Sequence, residues 1–160
     1  MRKLKIYLDT SAISYLFADD APEKMKETLR LWNEFKQERF EIYLSELTVF
    51  ELQECSEPKK SKMFESLKEI NYQTLVETDE IEKLANEYLK LNVLTRKSFD
   101  DCRHIAYAVV SNCDVIVSWN FKHLVNLKTI NRVRYVNAVN NYKEISIVSP
   151  SMLFEEDENG

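Results

Sequence analysis

The sequence predicts an α/β protein with a mainly parallel sheet of about five strands. The chain has 160 residues, 44% of them hydrophobic and 31% charged, which is enough for one domain with a buried core. Short apolar runs alternate with segments whose apolar residues recur at helical spacing. The run at 114–118 is apolar enough to be covered on both faces, as strands of parallel sheets are. This alternation predicts helices packed on both sides of the sheet.

The predicted elements follow one another without a repeat or a linker. Residue 9 ends the first strand, and Thr10 or Ser11 opens a short helix that runs through Leu16. Pro22 suits the first turn of the next helix. Strands are predicted at 4–8, 41–44, 72–76, 114–118 and 145–148. The remaining helices are predicted at 22–38, from Ser45, from Pro58, from Thr78, at 99–111 after an N-cap at Ser98, and at 122–131.

Glycine is nearly absent, because Gly160 is the one glycine of the chain. A Walker-type phosphate loop, a dinucleotide fingerprint, a Gly-x-Ser-x-Gly elbow and a KH clamp all require glycine and are therefore excluded. Helix ends that need a left-handed residue must use asparagine instead. The asparagines expected there are Asn71, Asn92, Asn112, Asn140 and Asn141.

The three cysteines and two histidines form no zinc or disulfide pattern. Cys-x-x-Cys and His-Glu-x-x-His are both missing, and an odd number of widely spaced cysteines does not indicate a disulfide framework. A nucleophilic pair of Cys102 with His104 is disfavoured, because alternate residues of a helix do not face each other.

The ends of the chain indicate a cytoplasmic protein with an acidic tail. No apolar run is long enough to span a membrane, and the basic N-terminus is too charged for a signal peptide. Four of the 27 acidic residues lie at 155–158, and the other 23 nearly balance the 22 Lys and Arg. We expect a single domain over 1–153 and a disordered tail over 154–160.

Basic residues are concentrated between 120 and 150. That segment holds two arginines and three lysines against one acid, Glu144. A solvated face and a contact surface for phosphates both explain such a cluster.

Oxygen-bearing side chains stand where a parallel sheet binds ligands. Asp9 ends the first strand, Glu51 lies on the helix after the second, Asp101 begins the helix before the fourth, and Asn120 follows the fourth. Ligands bind at the carboxyl ends of such strands, and these oxygens suit Mg²⁺ or Mn²⁺ better than zinc. Each residue also has a plain structural explanation, as a helix cap, a solvated carboxylate, a partner of the helix dipole and a turn residue respectively.

The order of four short motifs makes the sequence resemble PIN-domain proteins of the VapC toxin type. LDTSAI at 8–13 resembles the opening motif of that family, and LTVFEL at 47–52 resembles the second. FDDCRHIAYA at 99–108 resembles the third and VIVSWN at 115–120 the fourth, while ISIVSP at 145–150 resembles the closing strand. The resemblance implies a three-layer PIN-like sandwich.

The family's activity carries over as a set of expectations. The resemblance implies a cytoplasmic endoribonuclease that cleaves single-stranded RNA with Mg²⁺ or Mn²⁺, acts as a toxin, pairs with an antitoxin protein and forms a homodimer. Asp9, Glu51 and Asp101 correspond to catalytic carboxylates that bind the metal, and Asn120 corresponds to the fourth catalytic position. Hydroxyls at two further matching positions would support the site, namely Thr10 and Ser118.

Two departures from the family pattern concern the metal. Asn120 stands where the family often has Asp, and His123 stands where many members have another Asp. Both leave open whether one or two ions bind.

Three further residues are candidates for contacting the substrate. Arg103 and Lys122 are cations near the motifs, and His104 lies three residues after Asp101. Arg103 is equally explained as a surface residue, and His104 as a packed helix residue.

Two other functions compete with the nuclease. One is a non-cleaving PIN-like module that binds RNA or protein, which a complete carboxylate set disfavours. The other is a metal-dependent hydrolase of a small phosphate substrate. The haloacid-dehalogenase type of that class needs Asp-x-Asp at the first strand, whereas this chain has Asp9-Thr10-Ser11.

Overall fold

A computed structural model describes residues 2–159, and the side chains of 2–154. Its five strands form one sheet of order β3-β2-β1-β4-β5 in which every neighbouring pair is parallel. The predicted α/β class is therefore confirmed. The strands are β1 Lys5–Leu8, β2 Glu41–Ser45, β3 Gln73–Leu75, β4 Val115–Val117 and β5 Ser146–Val148.

Helices connect the strands and cover both faces of the sheet. Two short 3₁₀ turns, Tyr15–Phe17 and Arg96–Ser98, precede α2 and α6. The α-helices are α1 Ser11–Ser14, α2 Pro22–Lys36, α3 Glu46–Gln53, α4 Lys59–Leu67, α5 Asp79–Lys90, α6 Phe99–Val110, α7 Leu127–Val139 and α8 Pro150–Asn159.

The core has two halves, one on each face of the sheet. Side chains of a strand alternate between faces, so Ile6 and Leu8 pack with residues of α1, α2 and α4, whereas Tyr7 packs with α5, α6 and α7. The three side chains are fully buried. This arrangement makes β1 the central strand of a three-layer sandwich. It also fixes the place at which Asp9 follows the strand.

Asparagine ends several helices as the glycine shortage predicts. Asn92, Asn112 and Asn141 have φ of 56°, 58° and 62°, in the left-handed region that asparagine tolerates better than most residues. Asn71 does not adopt this conformation, and Glu38 does so after α2 with φ of 57°.

Two predicted N-caps are confirmed, whereas neither Thr10 nor Ser98 makes a capping hydrogen bond. The hydroxyls of Ser45 and Thr78 accept hydrogen bonds from backbone N–H groups in the first turns of α3 and α5. Ser98 precedes α6 without capping it, and its Oγ instead lies 3.3 Å from His123 Nδ1.

The helix predicted at 122–131 is misplaced. Residues 121–126 form turns, because backbone N–H groups of Leu124 and Val125 donate to the carbonyl of Asn120. The helix starts only after Asn126, whose side chain accepts from Thr129 N, and it continues to Val139.

The chain after β5 begins as a helix rather than as a free tail. The side chain of Phe154, the first residue of the predicted tail, is buried in the core beside α2. The backbone of 155–159 continues α8, while residue 160 lies outside the described residues. Disorder of the acidic segment after Phe154 stays a prediction. Within residues 2–159 no helix is both long enough and apolar enough to cross a bilayer.

Candidate active site

The candidate site lies where the order of the strands reverses, between β1 and β4. From β1 the chain builds outward first to β2 and β3 and later, on the other side, to β4 and β5. The carboxyl ends of strands at such a switch point border a crevice. Asp9 leaves β1 and Ser118 leaves β4 at this point, and the Ser118 hydroxyl donates to Asp9 Oδ2 at 2.6 Å.

Asp9 is a buried carboxylate held from three directions. Besides Ser118, the Ser11 hydroxyl donates to its Oδ1 at 2.7 Å and Ala12 N–H donates to the same oxygen at 3.0 Å. The bond from Ala12 shows that Asp9 does cap α1. Burial raises the pKa of Asp9, whereas nearby His104 and the three hydrogen bonds lower it less strongly.

Glu51 is positioned by a chain of hydrogen bonds from the core. Its Oε1 accepts from Thr10 Oγ1 at 3.0 Å and from His104 Nε2 at 2.5 Å. His104 Nδ1 lies 2.6 Å from the hydroxyl of Tyr7, which also contacts Ser45 Oγ at 2.8 Å. Burial would raise the pKa of Glu51, but His104 and Thr10 outweigh it and the pKa is lowered.

The chemistry of Glu51 determines which groups donate in the hydrogen bonds that link Tyr7, His104 and Glu51. A carboxylate only accepts, so Nε2 of His104 carries the proton that bonds Glu51. In the neutral ring Nδ1 then accepts the proton of Tyr7, whose own pKa is raised by burial. Glu51 therefore stays ionised and fixed in place.

Of the three candidate carboxylates, Asp101 is the one that makes no side-chain hydrogen bond with the described residues. It lies in the first turn of α6 and is partly buried. Burial raises its pKa, and the negative charges of Asp9 and Glu51 raise it further, against His104 and His123. Asp101 therefore lies within electrostatic reach of both Asp9 and Glu51.

The hydroxyls around the carboxylates include one that sequence analysis missed. Thr10 and Ser118 contact Glu51 and Asp9 respectively, as described above. Ser11 was expected only as a helix start, yet its hydroxyl bonds Asp9 and also accepts from Trp119 N–H at 2.8 Å. The signal available in the sequence was its position two residues after Asp9, where a hydroxyl can reach back to the carboxylate.

Asn120 is engaged in the turn that follows β4. Its Oδ1 accepts from His123 N–H at 2.9 Å, and its own N–H donates to Ser118 Oγ at 2.9 Å. The side-chain oxygen therefore shapes the turn, which is the plainer of its two explanations. Asn120 is held beside the carboxylates by this bond to Ser118.

The three predicted substrate contacts occupy different environments. Arg103 pairs with Asp100 at 3.1 Å and with Glu77 at 3.4 Å. His104 is 2% exposed, so it acts on Glu51 rather than on a ligand in solvent. Lys122 is exposed and lines a cleft beside His123.

Aromatic rings form the rim on the β4 side. Trp119 is buried, and its Nε1 donates to Thr28 Oγ1 at 2.8 Å, so it packs rather than offering a face for stacking. The ammonium of Lys24 lies 5.2 to 5.7 Å from the ring centres of Tyr15, Trp119 and Phe121. Such cation–π contacts hold a positive charge at this rim.

The donor set suits a hard divalent cation, although it is not preassembled. Among the side chains that the structure describes, those of residues 2–154, no three His, Cys, Asp or Glu are arranged as a ready metal cluster. Glu51 Oε2 and both oxygens of Asp101 nevertheless accept no hydrogen bond from described residues, and Asp9 Oδ2 accepts only one. Carboxylate oxygens are the ligands that Mg²⁺ and Mn²⁺ prefer, and their mutual repulsion favours a cation among them.

The comparison with protein families decides which family this is. The PIN domain profile matches residues 6–122, a range that includes Asp9, Glu51, Asp101 and Asn120. The chain belongs to the PIN domain family. Domains of this family are generally nucleases, enzymes that hydrolyse phosphodiester bonds, and typically use divalent metal ions.

Solved structures support the PIN fold independently. The crystal structure of VapBC2 from Rickettsia felis bound to a DNA fragment from their promoter matches with a TM-score of 0.57. It is 16% identical, and the match covers 91% of this chain and 98% of that chain. At this identity the likeness concerns the fold. No curated protein matches the sequence.

Proposed function

We propose that this PIN domain is a Mg²⁺- or Mn²⁺-dependent endoribonuclease for single-stranded RNA. The observation that carries the proposal is the convergence of Asp9, Glu51 and Asp101 from three separate elements at the switch point of the sheet. A structural carboxylate in a fold is normally paired, whereas Asp101 is partly buried without a hydrogen-bond partner among the described residues. This costs stability unless the residue serves a ligand.

Each carboxylate has a distinct part in the proposed site. Asp9 and Asp101 would bind the ion directly, and Glu51 would present Oε2 while His104 and Thr10 hold Oε1. Asn120 would act by holding the turn after β4 in place. A bound Mg²⁺ or Mn²⁺ supplies positive charge at the scissile phosphate and favours ionisation of the attacking water.

The deciding experiment compares neighbouring aspartates in a cleavage assay. A labelled single-stranded RNA is incubated with purified protein in Mn²⁺, in Mg²⁺ and in excess EDTA. Cleavage should require the metal, and Asp101→Asn should reduce the rate at least a hundredfold. Asp100→Asn is the matched control, because Asp100 is exposed and pairs with Arg103. Cleavage that continues in EDTA, or equal effects of both variants, would refute the proposal.

The assembly belongs to the proposal as well. We infer a cytoplasmic toxin that binds an antitoxin protein, as the VapBC2 name of the structural neighbour suggests, and that pairs with a second copy of itself. Light scattering at micromolar concentration should give the mass of two 19.0 kDa chains. A monomer would contradict the dimer while leaving the nuclease proposal in place.

A further inference from the structure

A basic cleft lies beside the carboxylates, on the side of α7. It has a volume of about 270 Å³ and is formed by the segment 92–95, the turn after β4 and the first residues of α7. Three of its lining residues carry a fixed positive charge, namely Lys122, Lys128 and Arg132, and none is acidic.

The two lysines of the cleft are uncommitted. Both are exposed, and neither makes a side-chain hydrogen bond or an ion pair with the residues that the structure describes. Arg132 differs, because its Nη1 donates to the carbonyl of Asn92 at 2.5 Å and so joins the two walls of the cleft. The cleft is thus held by one cation and offers two others to a ligand.

His123 connects the cleft to the carboxylates. It lines the cleft, and its Nδ1 lies 3.3 Å from the Oγ of Ser98, which directly precedes α6. Its backbone carbonyl accepts from Thr129 Oγ1 at 2.8 Å, which ties the turn to α7. The cleft therefore borders the start of α6, whose first turn carries Asp101.

We propose that this cleft binds the phosphate backbone of the RNA strand next to the scissile bond, through Lys122 and Lys128. The proposal deepens the proposed function, since it takes the strand to be the substrate. The flexible ammonium groups of Lys122 and Lys128 bind phosphate charge and make no contact with base edges. The cleft therefore contributes affinity without sequence preference. Adjacency to the carboxylates favours a strand that continues into them over a separate anion or an acidic peptide.

The test measures binding without cleavage. A fluorescein-labelled 12-mer of uridine is titrated with full-length protein in EDTA, by anisotropy, between 0.1 and 1 M salt. Each lysine that neutralises one phosphate contributes about 0.7 to the slope of log affinity against log salt. The variant Lys122→Gln/Lys128→Gln should lower that slope by about 1.4, which corresponds to roughly 25-fold weaker binding at 0.1 M salt if the affinities converge at 1 M.

Two matched variants distinguish the effect of the cleft lysines from a general loss of positive charge. Lys62→Gln/Lys68→Gln removes two exposed lysines, Lys62 of α4 and Lys68 directly after it, the latter paired with Glu65; both lie apart from the cleft, so this variant should bind like the parent. The charge-preserving variant Lys122→Arg/Lys128→Arg should keep at least half of the parental affinity. Equal losses for the two glutamine pairs, or an unchanged slope for the cleft pair, would overturn the proposal.

Competitors identify the class of anion. Inorganic phosphate and a glutamate 12-mer, each at matched ionic strength, should not displace the labelled strand. Displacement by phosphate would make the cleft a site for a free anion, and displacement by the peptide would assign it to an acidic protein segment; both contradict the proposal. Because binding is measured in EDTA, a failed cleavage assay would refute the nuclease and leave this result standing.

Discussion

Asp101→Asn should raise the melting temperature of the metal-free protein. The carboxyl of Asp101 has no hydrogen bond to lose within the described residues, and burial together with the charges of Asp9 and Glu51 raises its pKa against the opposing influence of His104 and His123. Relief of such repulsion at a partly buried site contributes about 1 kcal/mol. For a chain of this length that corresponds to roughly 2–4 °C.

Manganese should reverse the order of the parent and this variant. At a hundredfold excess over the dissociation constant, an ion that binds only the folded state adds about 2.7 kcal/mol, or roughly 5–11 °C for this chain length. The parent should show that increase, and Asp101→Asn should lose most of it. Asp100→Asn should melt up to about 4 °C lower, since it loses an exposed ion pair with Arg103, and should keep the full manganese shift.

The pH dependence provides a second check by the same calorimetric scans in EDTA. The folded-state pKa of Asp101 lies above its unfolded value, so the ionised form is the one that the fold disfavours. The penalty is complete above the folded pKa and disappears below the unfolded value of about 3.9. The advantage of Asp101→Asn should therefore be present at pH 7 and shrink as the pH falls towards 4. A variant that melts below the parent in EDTA and retains the manganese shift would refute the reasoning.

Two further substitutions test the site from its other sides. Asn120→Asp keeps the oxygen that accepts from His123 N–H and adds a negative charge, so calorimetric titration should show tighter Mn²⁺ binding; equal or weaker binding would count against Asn120 as a neighbour of the ion. Tyr7→Phe leaves Ser45 Oγ and His104 Nδ1 without their buried partner, at a cost of about 1–3 kcal/mol or roughly 2–12 °C in melting temperature. Cleavage should fall with it, because Glu51 is positioned through His104, and a stable variant with normal cleavage would show that Tyr7 is not needed to position it.

The sheet was predictable because its signals are local. Strand apolarity and the alternation with helices are contained in windows of a few residues, and so are the caps at Ser45 and Thr78. The position of α7 could not be predicted, because its start depends on which asparagine caps a helix and which one closes a turn. Asn120 and Asn126 look alike in sequence, and the backbone bonds to the Asn120 carbonyl distinguish them.

Only some features of the candidate site could likewise be predicted from the sequence. The order of the carboxylates could be recognised from short motifs, and the topology then brings them to one edge of the sheet. The role of His104 could not, because its two partners lie 97 residues away at Tyr7 and 53 residues away at Glu51. The sequence did not show that His104 is buried. Because it is buried, His104 supports Glu51 instead of contacting a substrate.

The strand order also determines when the site can exist during synthesis. β1 emerges first, but the Ser118 hydroxyl that holds Asp9 follows β4, a neighbour of β1 that is made 107 residues after Lys5–Leu8 ends. Ribosomes add about 5–20 residues per second, so Asp9 waits several seconds for this partner. A nascent chain that has not yet paired β4 with β1 already carries Asp9 after β1 and Glu51 on α3 but has no assembled centre, and it acquires the complete site only once β4 has joined the sheet.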